Sequence, residues 1–368
     1  ASLREVKGMF DRQLIFIGPL PPVVNGQSIA TEYLMERLQS DGLTLIVFDT
    51  NTAGARFLTR VFNGLMRTFK VIFNVLKRKN DVAYISVNAN LGMLLTALIA
   101  LCAKFRGHLV ILHHHTRSHI VPGNWRLALL ANAAGDDAVH ISICSSMSKS
   151  LQASSASVVR VLNFSNVGVV DDSIRNLDLK APLSREPLTL GIFGNLTNEK
   201  GLSRAIDAFV FAKEKGLANK LLLAGPVVGD EENLRAKEAL REFGASIELM
   251  GPLYGNNKLE FFKKVDVFLF PSLYPNETQG IVNLEALAAG LPVLAFAVCC
   301  TPEDLQGAAC KTVAVDSDFS EATCDFLASL PSHAREAARE RYDSLRDLNS
   351  AEYDLLKNLI ISGKSRKD

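Results

Sequence analysis

The sequence predicts an α/β protein made of two doubly wound parallel-sheet domains. Short apolar strands alternate with helical stretches, they do so in two separate series, and a polar, Pro-containing stretch at 168–187 parts the two. With 368 residues and 48% hydrophobic content, the chain is long and apolar enough for two full cores.

In the first series, residues 13–18, 43–48, 82–87, 109–112 and 138–144 read as strands. The loop after the first strand ends in Asn25-Gly26 before an amphipathic helix at 28–38. A strand, a Gly-containing loop and a helix N-terminus form an anion-binding arrangement, which makes Gly26 a candidate ligand contact. Neither the Lys-Ser/Thr ending of a Walker loop nor a Gly-x-Gly-x-x-Gly fingerprint is present, which counts against an oxidoreductase. Residues 91–103 fall short of the ~20 needed to span a bilayer and read as a buried helix. Residues 1–10 are charged and short, unlike a signal segment. The six cysteines form no metal-type pair and read as reduced core residues.

Residues 188–193, 220–224, 246–250, 265–270 and 292–297 form the second series. The last helical region, 332–361, spaces Tyr342, Leu345, Leu348, Tyr353, Leu356 and Leu359 near the helical period.

The chemistry concentrates where strand 265–270 ends. There the chain reads Pro-Ser-Leu-Tyr-Pro-Asn-Glu277-Thr-Gln-Gly280-Ile-Val-Asn-Leu-Glu285, then a short helix at 283–289 stopped by Gly290 and Pro292. One carboxylate sits in a loop and the other in a helix. Gly280 permits close backbone approach, and the helix start offers unpaired N–H groups. Carboxylates accept from sugar hydroxyls and N–H groups suit phosphate, so the site suits a sugar nucleotide.

This order of strand, Pro-Ser, Glu, Gly, Glu and Gly-x-Pro-Val resembles the donor-site signature of retaining glycosyltransferase family 4, the glycosyl transferases group 1. The resemblance implies the GT-B fold, with two Rossmann-like domains facing a cleft. It divides the chain into an acceptor-side domain at 1–170 and a donor-binding domain at 187–350, with the C-terminal helix from about 351–368 packing back on the first. By the same resemblance Glu277 meets the donor sugar, Glu285 the nucleotide ribose, and the backbone at Gly280, Ile281 and Val282 sugar or phosphate oxygens. Backbone near Leu253 meets the base, leaving UDP- and GDP-sugars both open. The donor is a substrate, and no cofactor or metal is implied.

Lys200, in a Gly-flanked loop opening a helix after strand 188–193, suits a phosphate as a point charge. It matches the lysine that binds the donor diphosphate in the family. Asn195 departs from the family, where arginine is usual; a neutral hydrogen bond replaces a charged one. Arg204, one helical turn beyond Lys200, is a candidate substitute.

Residues 109–119 end in His113, His114, His115, Arg117 and His119. Alternation sends His113 and His115 to one face and His114 to the other. No acid or cysteine lies nearby to complete a metal site. The family places a histidine at this strand end facing the donor sugar. His113 and His115 both fit; His115, nearer the loop, is favoured, leaving His113 and Arg117 to the acceptor side. The resemblance supplies no protein nucleophile, so catalysis rests on charge stabilisation by Lys200, Glu277 and His115.

Net charge is +1, yet from Thr50 to Gly135 eleven Lys/Arg stand against one acid, Asp81. Within this stretch, Arg56 through Lys79 reads as an amphipathic helix with a basic face suited to an anionic membrane surface. No nucleic-acid motif is present. The expected activity is sugar transfer from a nucleotide donor to a saccharide or lipid-linked acceptor in bacterial surface polysaccharide synthesis. The expected location is cytoplasmic, peripheral on the inner face of the plasma membrane. A GT-B-fold sugar-nucleotide epimerase or hydrolase, and a non-catalytic GT-B-like binding protein, are the rival readings.

Overall fold

A computed structural model describes residues 13–22, 25–51, 57–179, 181–183 and 187–363, without the side chains of 57–62. The chain divides into two compact units, residues 1–169 with 349–368, and residues 170–348.

The first unit runs β1 (Gln13–Gly18), α1 (Gly26–Ser40), β2 (Thr44–Asp49), α2 (Phe57–Lys77), β3 (Val82–Ser86), α3 (Gly92–Phe105), β4 (Leu109–His113), α4 (Trp125–Ala134), β5 (Val139–Ser142), α5 (Ser145–Ser154) and β6 (Arg160–Asn163). Its six strands are all parallel in the order β2-β1-β3-β4-β5-β6. The order reverses between β1 and β3, and ligands of such sheets bind beyond the strand ends at that point. Gly18 closes β1 there, where a Cβ would press on Thr31 and Ser86. Asn25 caps α1, accepting from the Ser28 N–H at 2.9 Å while its own N–H donates to Ser28 Oγ at 3.0 Å.

In the second unit α6 (Asp172–Arg175) precedes β7 (Leu188–Phe193), α7 (Leu202–Glu214), β8 (Ala218–Ala224), α8 (Asp230–Phe243), β9 (Ile247–Gly251), α9 (Asn256–Lys264) and β10 (Val267–Phe270). There follow α10 (Ile281–Ala288), β11 (Val293–Phe296), α11 (Thr301–Asp304), β12 (Cys310–Val313), α12 (Phe319–Ser329) and α13 (Ala334–Ser362). The sheet is again parallel, β12-β11-β10-β7-β8-β9, and reverses between β7 and β10. The fold is thus two Rossmann-like α/β sheets.

Of residues 168–187, expected as a joint, those from 170 onward lie in the second unit, where α6 packs on α10. From Asn349 onward α13 belongs to the first. There Tyr353, Leu356 and Ile360 enter the core with Phe164, Leu34 and Leu38, while Tyr353 Oη and Lys357 Nζ each donate to Asp41 Oδ2 at 2.8 Å.

Residues 91–103 are not a buried helix: α3 buries Met93, Ala97, Ala100 and Ala103 but exposes Leu98, Leu101 and Phe105. Its composition is apolar all round, so the run alone could not say that one face lacks a neighbour. Among the described residues no helix is long and apolar enough to cross a membrane.

Candidate functional site

The second sheet's reversal brings two loops together, the one after β7 carrying Lys200 and the one after β10 carrying Glu277. Their backbones approach closely: Gly201, at φ +97°, has no room for a Cβ against the Pro271 carbonyl. Lys200 Nζ lies 2.6 Å from Glu277 Oε2, and Ser272 Oγ donates to the same oxygen at 2.9 Å. The ammonium also stands 4.5 Å from the Tyr274 ring centre. Glu277 is buried, so the paired lysine and the serine hydroxyl are what make an ionised carboxylate tolerable there.

Gly280 is the N-cap of α10, which begins at Ile281, two residues earlier than the sequence suggested, with no side-chain cap. Its φ is −71°, so left-handed backbone is not its purpose. A Cβ would instead press on the Phe270 ring and the Asn283 amide, so the absent side chain lets the loop seat against β10. Ile281 and Val282 form the first turn of this uncapped helix, whose end carries partial positive charge.

Glu285 lies one turn further into α10 and is buried. Lys258 of α9 donates to Glu285 Oε1 at 2.5 Å, while Oε2 is buried with no hydrogen-bond partner among the described residues. Burial raises the Glu285 pKa, Lys258 opposes the rise, and the nearby Asp171 carboxylate adds to it. No sequence motif marked Lys258, because it meets Glu285 only through the packing of α6, α9 and α10. Ser272 was equally silent.

Asn195 is exposed in the loop after β7. Arg204, the candidate substitute for that arginine, is engaged by backbone carbonyls. Its Nε donates to the Pro271 carbonyl at 2.9 Å and its Nη2 to the Asn198 carbonyl at 2.7 Å, tying the Lys200 loop to the β10 loop. Leu253, in the loop after β9, is buried. Lys200, Glu277, Gly280 and Glu285 thus converge within the second unit, with Asn195 and Leu253 on adjacent loops.

Gly26, His113, His115 and Arg117 belong to the first unit. Gly26 is exposed at the start of α1, and the neighbouring Gln27 donates to Ser86 Oγ at 2.9 Å, which seats this helix end over the reversal between β1 and β3. The His113 and His115 rings lie tilted at 35° with centres 3.9 Å apart, and His113 Nδ1 meets Tyr84 Oη at 2.7 Å. On the other face His114 bridges His140 at 3.0 Å and His119 at 3.4 Å, as alternation requires. Burial pushes the His115 pKa down to about 3 and those of His119 and His140 to about 4, so all stay neutral at physiological pH. Arg117 is exposed. Beside it opens a cavity of about 340 Å³, lined by Asn90, Ser118, His119 and Trp125 among others.

Residues 175–339 match the family model described as glycosyl transferases group 1. This match spans most of the second unit and less than half of the chain. Lys200, Glu277 and Glu285 all fall inside this group 1 match. The lipopolysaccharide glucosyltransferase WaaG of Escherichia coli is 32% identical over 128 residues, 35% of this chain and 33% of that protein. The sulfoquinovosyl transferase SQD2 of Arabidopsis thaliana is 24% identical over 318 residues, 77% of this chain and 59% of that one. The chain therefore spans about a third to three-fifths of these curated relatives. Among solved structures, Anabaena Alr3699/HepE in complex with UDP superposes with a TM-score of 0.65 at 16% identity, covering 95% of this chain and all of that one. This likeness makes the fold GT-B.

Proposed function

We propose that the protein is a retaining glycosyltransferase that moves a sugar from a nucleotide-diphosphate donor to a saccharide or lipid-linked acceptor in surface polysaccharide synthesis. The observation that carries it is the pair of buried glutamates, each held by one lysine, at and within an uncapped helix inside the group 1 match. WaaG, a lipopolysaccharide glucosyltransferase, supports the pathway, and the UDP complex of Alr3699/HepE supports the donor class.

In this reading the donor replaces the Lys200–Glu277 contact on both sides. The diphosphate takes Lys200, and a sugar hydroxyl donates to Glu277, whose Oε2 Ser272 still holds. Glu285 Oε2 accepts from a ribose hydroxyl, and amides at Gly280, Ile281 and Val282 meet phosphate or sugar oxygens. Backbone beside Leu253 meets the base, and Asn195 and Gly26 give neutral contacts. The acceptor hydroxyl attacks the anomeric carbon on the face from which the diphosphate leaves, passing its proton to the departing phosphate oxygen. Lys200 offsets the developing negative charge, and neutral His115 orients the sugar by hydrogen bonding. His113 and Arg117 face the acceptor. The domain roles follow: donor binding in the second unit, acceptor binding in the first. The basic face of α2 docks on an anionic leaflet at the inner face of the plasma membrane; Arg56 and the side chain of Arg60 lie outside the described residues.

Incubating UDP- and GDP-sugars with and without a saccharide acceptor tests the reading. Transfer should require the acceptor, and Glu277→Ala and Lys200→Ala should each lower kcat at least a hundredfold with the melting temperature kept. Full activity in both variants overturns it; steady donor turnover without acceptor points instead to a hydrolase or epimerase.

A further inference from the structure

We infer that α2, α3 and α4 together form a bilayer-inserting face, so that the protein seats three helices, and not α2 alone, in an anionic leaflet. The inference extends the membrane partner of the proposed function and rests on that part of it.

The three helices pack side by side, α2 on α3 and α3 on α4. Each has a buried row and, across the helix from it, an exposed apolar row. On α2, Val71 and Val75 are buried while Phe69 and Phe73 are 64% and 58% exposed. On α3, Leu101 and Phe105 are 50% and 82% exposed. On α4, Leu127 and Leu130 are buried while Trp125 and Leu129 are 57% and 45% exposed. Large aromatic and aliphatic side chains repeated over three adjacent helices amount to a patch that calls for an apolar partner.

Charge selects the partner. None of the three helices carries an acidic residue, and Lys70, Lys77, Lys104 and Arg126 lie on them. Lys77 Nζ sits 4.2 Å from the Phe73 ring centre and the Arg126 guanidinium 4.8 Å from that of Trp125. Cations packed on exposed aromatics, within an apolar field free of acids, match the boundary between acyl chains and anionic headgroups. A second copy of this chain would bury the same rows but oppose two basic faces, which is electrostatically unfavourable.

The protein has one tryptophan, Trp125, and it lies on this face, so its emission reports insertion directly. The full chain is mixed with phosphatidylglycerol-containing or pure phosphatidylcholine vesicles, and flotation and Trp125 emission are read together. Binding to the anionic vesicles with a blue shift, and quenching by brominated acyl chains, is expected. The double variant Leu101→Ser/Phe105→Ser, with charge and melting temperature unchanged, should lose at least tenfold in partitioning. Binding with unshifted Trp125 emission, or an undiminished double variant, overturns the three-helix face while leaving α2 docking intact. Absence of binding overturns both, and a stable dimer in solution assigns the face to a second copy. Sugar transfer to a water-soluble acceptor is measured alongside, so loss of catalysis is distinguished from loss of docking.

Discussion

At the scale of single residues, the proposed donor site turns on two lysines that neutralise two buried glutamates. Lys258 holds Glu285 Oε1, counters the rise that burial imposes on its pKa, and leaves Oε2 without a hydrogen-bond partner among the described residues. Removing that charge should protonate Glu285 at higher pH and spoil its acceptance of a hydroxyl. Lys258→Met is therefore expected to raise the donor KM about 10- to 100-fold, the worth of a charged hydrogen bond, with little change in kcat. The KM should worsen further as pH falls, and Lys258→Arg should recover most of it. A pH-independent KM in Lys258→Met would show that the lysine only packs. Glu277, Glu285 and Lys200 were legible in the sequence because motif and chain order mark them. Lys258 and Ser272 were not, since their partners are set by which helices and loops the sheet reversal places together. Asn195 was legible as a departure, but the fate of Arg204 was not, because only the fold reveals which carbonyls claim its guanidinium.

At the scale of elements, ten of the twelve strands among the described residues were readable from apolar runs and their turn signals. The two that were not, β6 and β12, are the sheet edges on the side where the last strand is added, and all their residues are only half-buried. An edge strand buries too little to require an apolar run, so Arg160–Asn163 and Cys310–Val313 pass for loop. The tight joins between elements are more demanding. Gly201 opens α7 at φ +97° against the Pro271 carbonyl, and it lies beside Lys200. Gly201→Ala should cost about 1–3 kcal/mol of stability from the backbone conformation alone, and more from the clash. Because the displaced loop carries Lys200, donor affinity should fall as well. Calorimetric melting and donor titration together check this, and an unchanged melting temperature would refute the constraint.

At the scale of the whole molecule, the two units differ in what acid does to them. The first unit holds His113, His114, His115, His119 and His140, all buried with pKa values pushed down by desolvation. An unfolded histidine takes up a proton near pH 6.5, while His115, His119 and His140 do not until about 3 to 4, and His113 and His114 are also held well below the ordinary value. The unfolded state thus binds more protons below pH 6.5. The stabilisation is complete above that pH and is lost as pH falls towards 4. Scanning calorimetry from pH 7.5 to about 5 should show the first unit's transition moving down faster than the second's. Parallel shifts of both transitions would contradict this.

The last part of α13 adds a consequence in time. Residues 13–169 cannot complete their core until Tyr353, Leu356 and Ile360 arrive, and the 179 residues of the other unit, 170–348, must be synthesised first. At 5–20 residues per second, the ribosome takes roughly 10–40 s over that stretch. Throughout it Leu34, Leu38 and Phe164 lack their cover, so the unit made first is the one finished last. A chaperone that recognises nascent apolar surface has its longest opportunity on the N-terminal half of the chain.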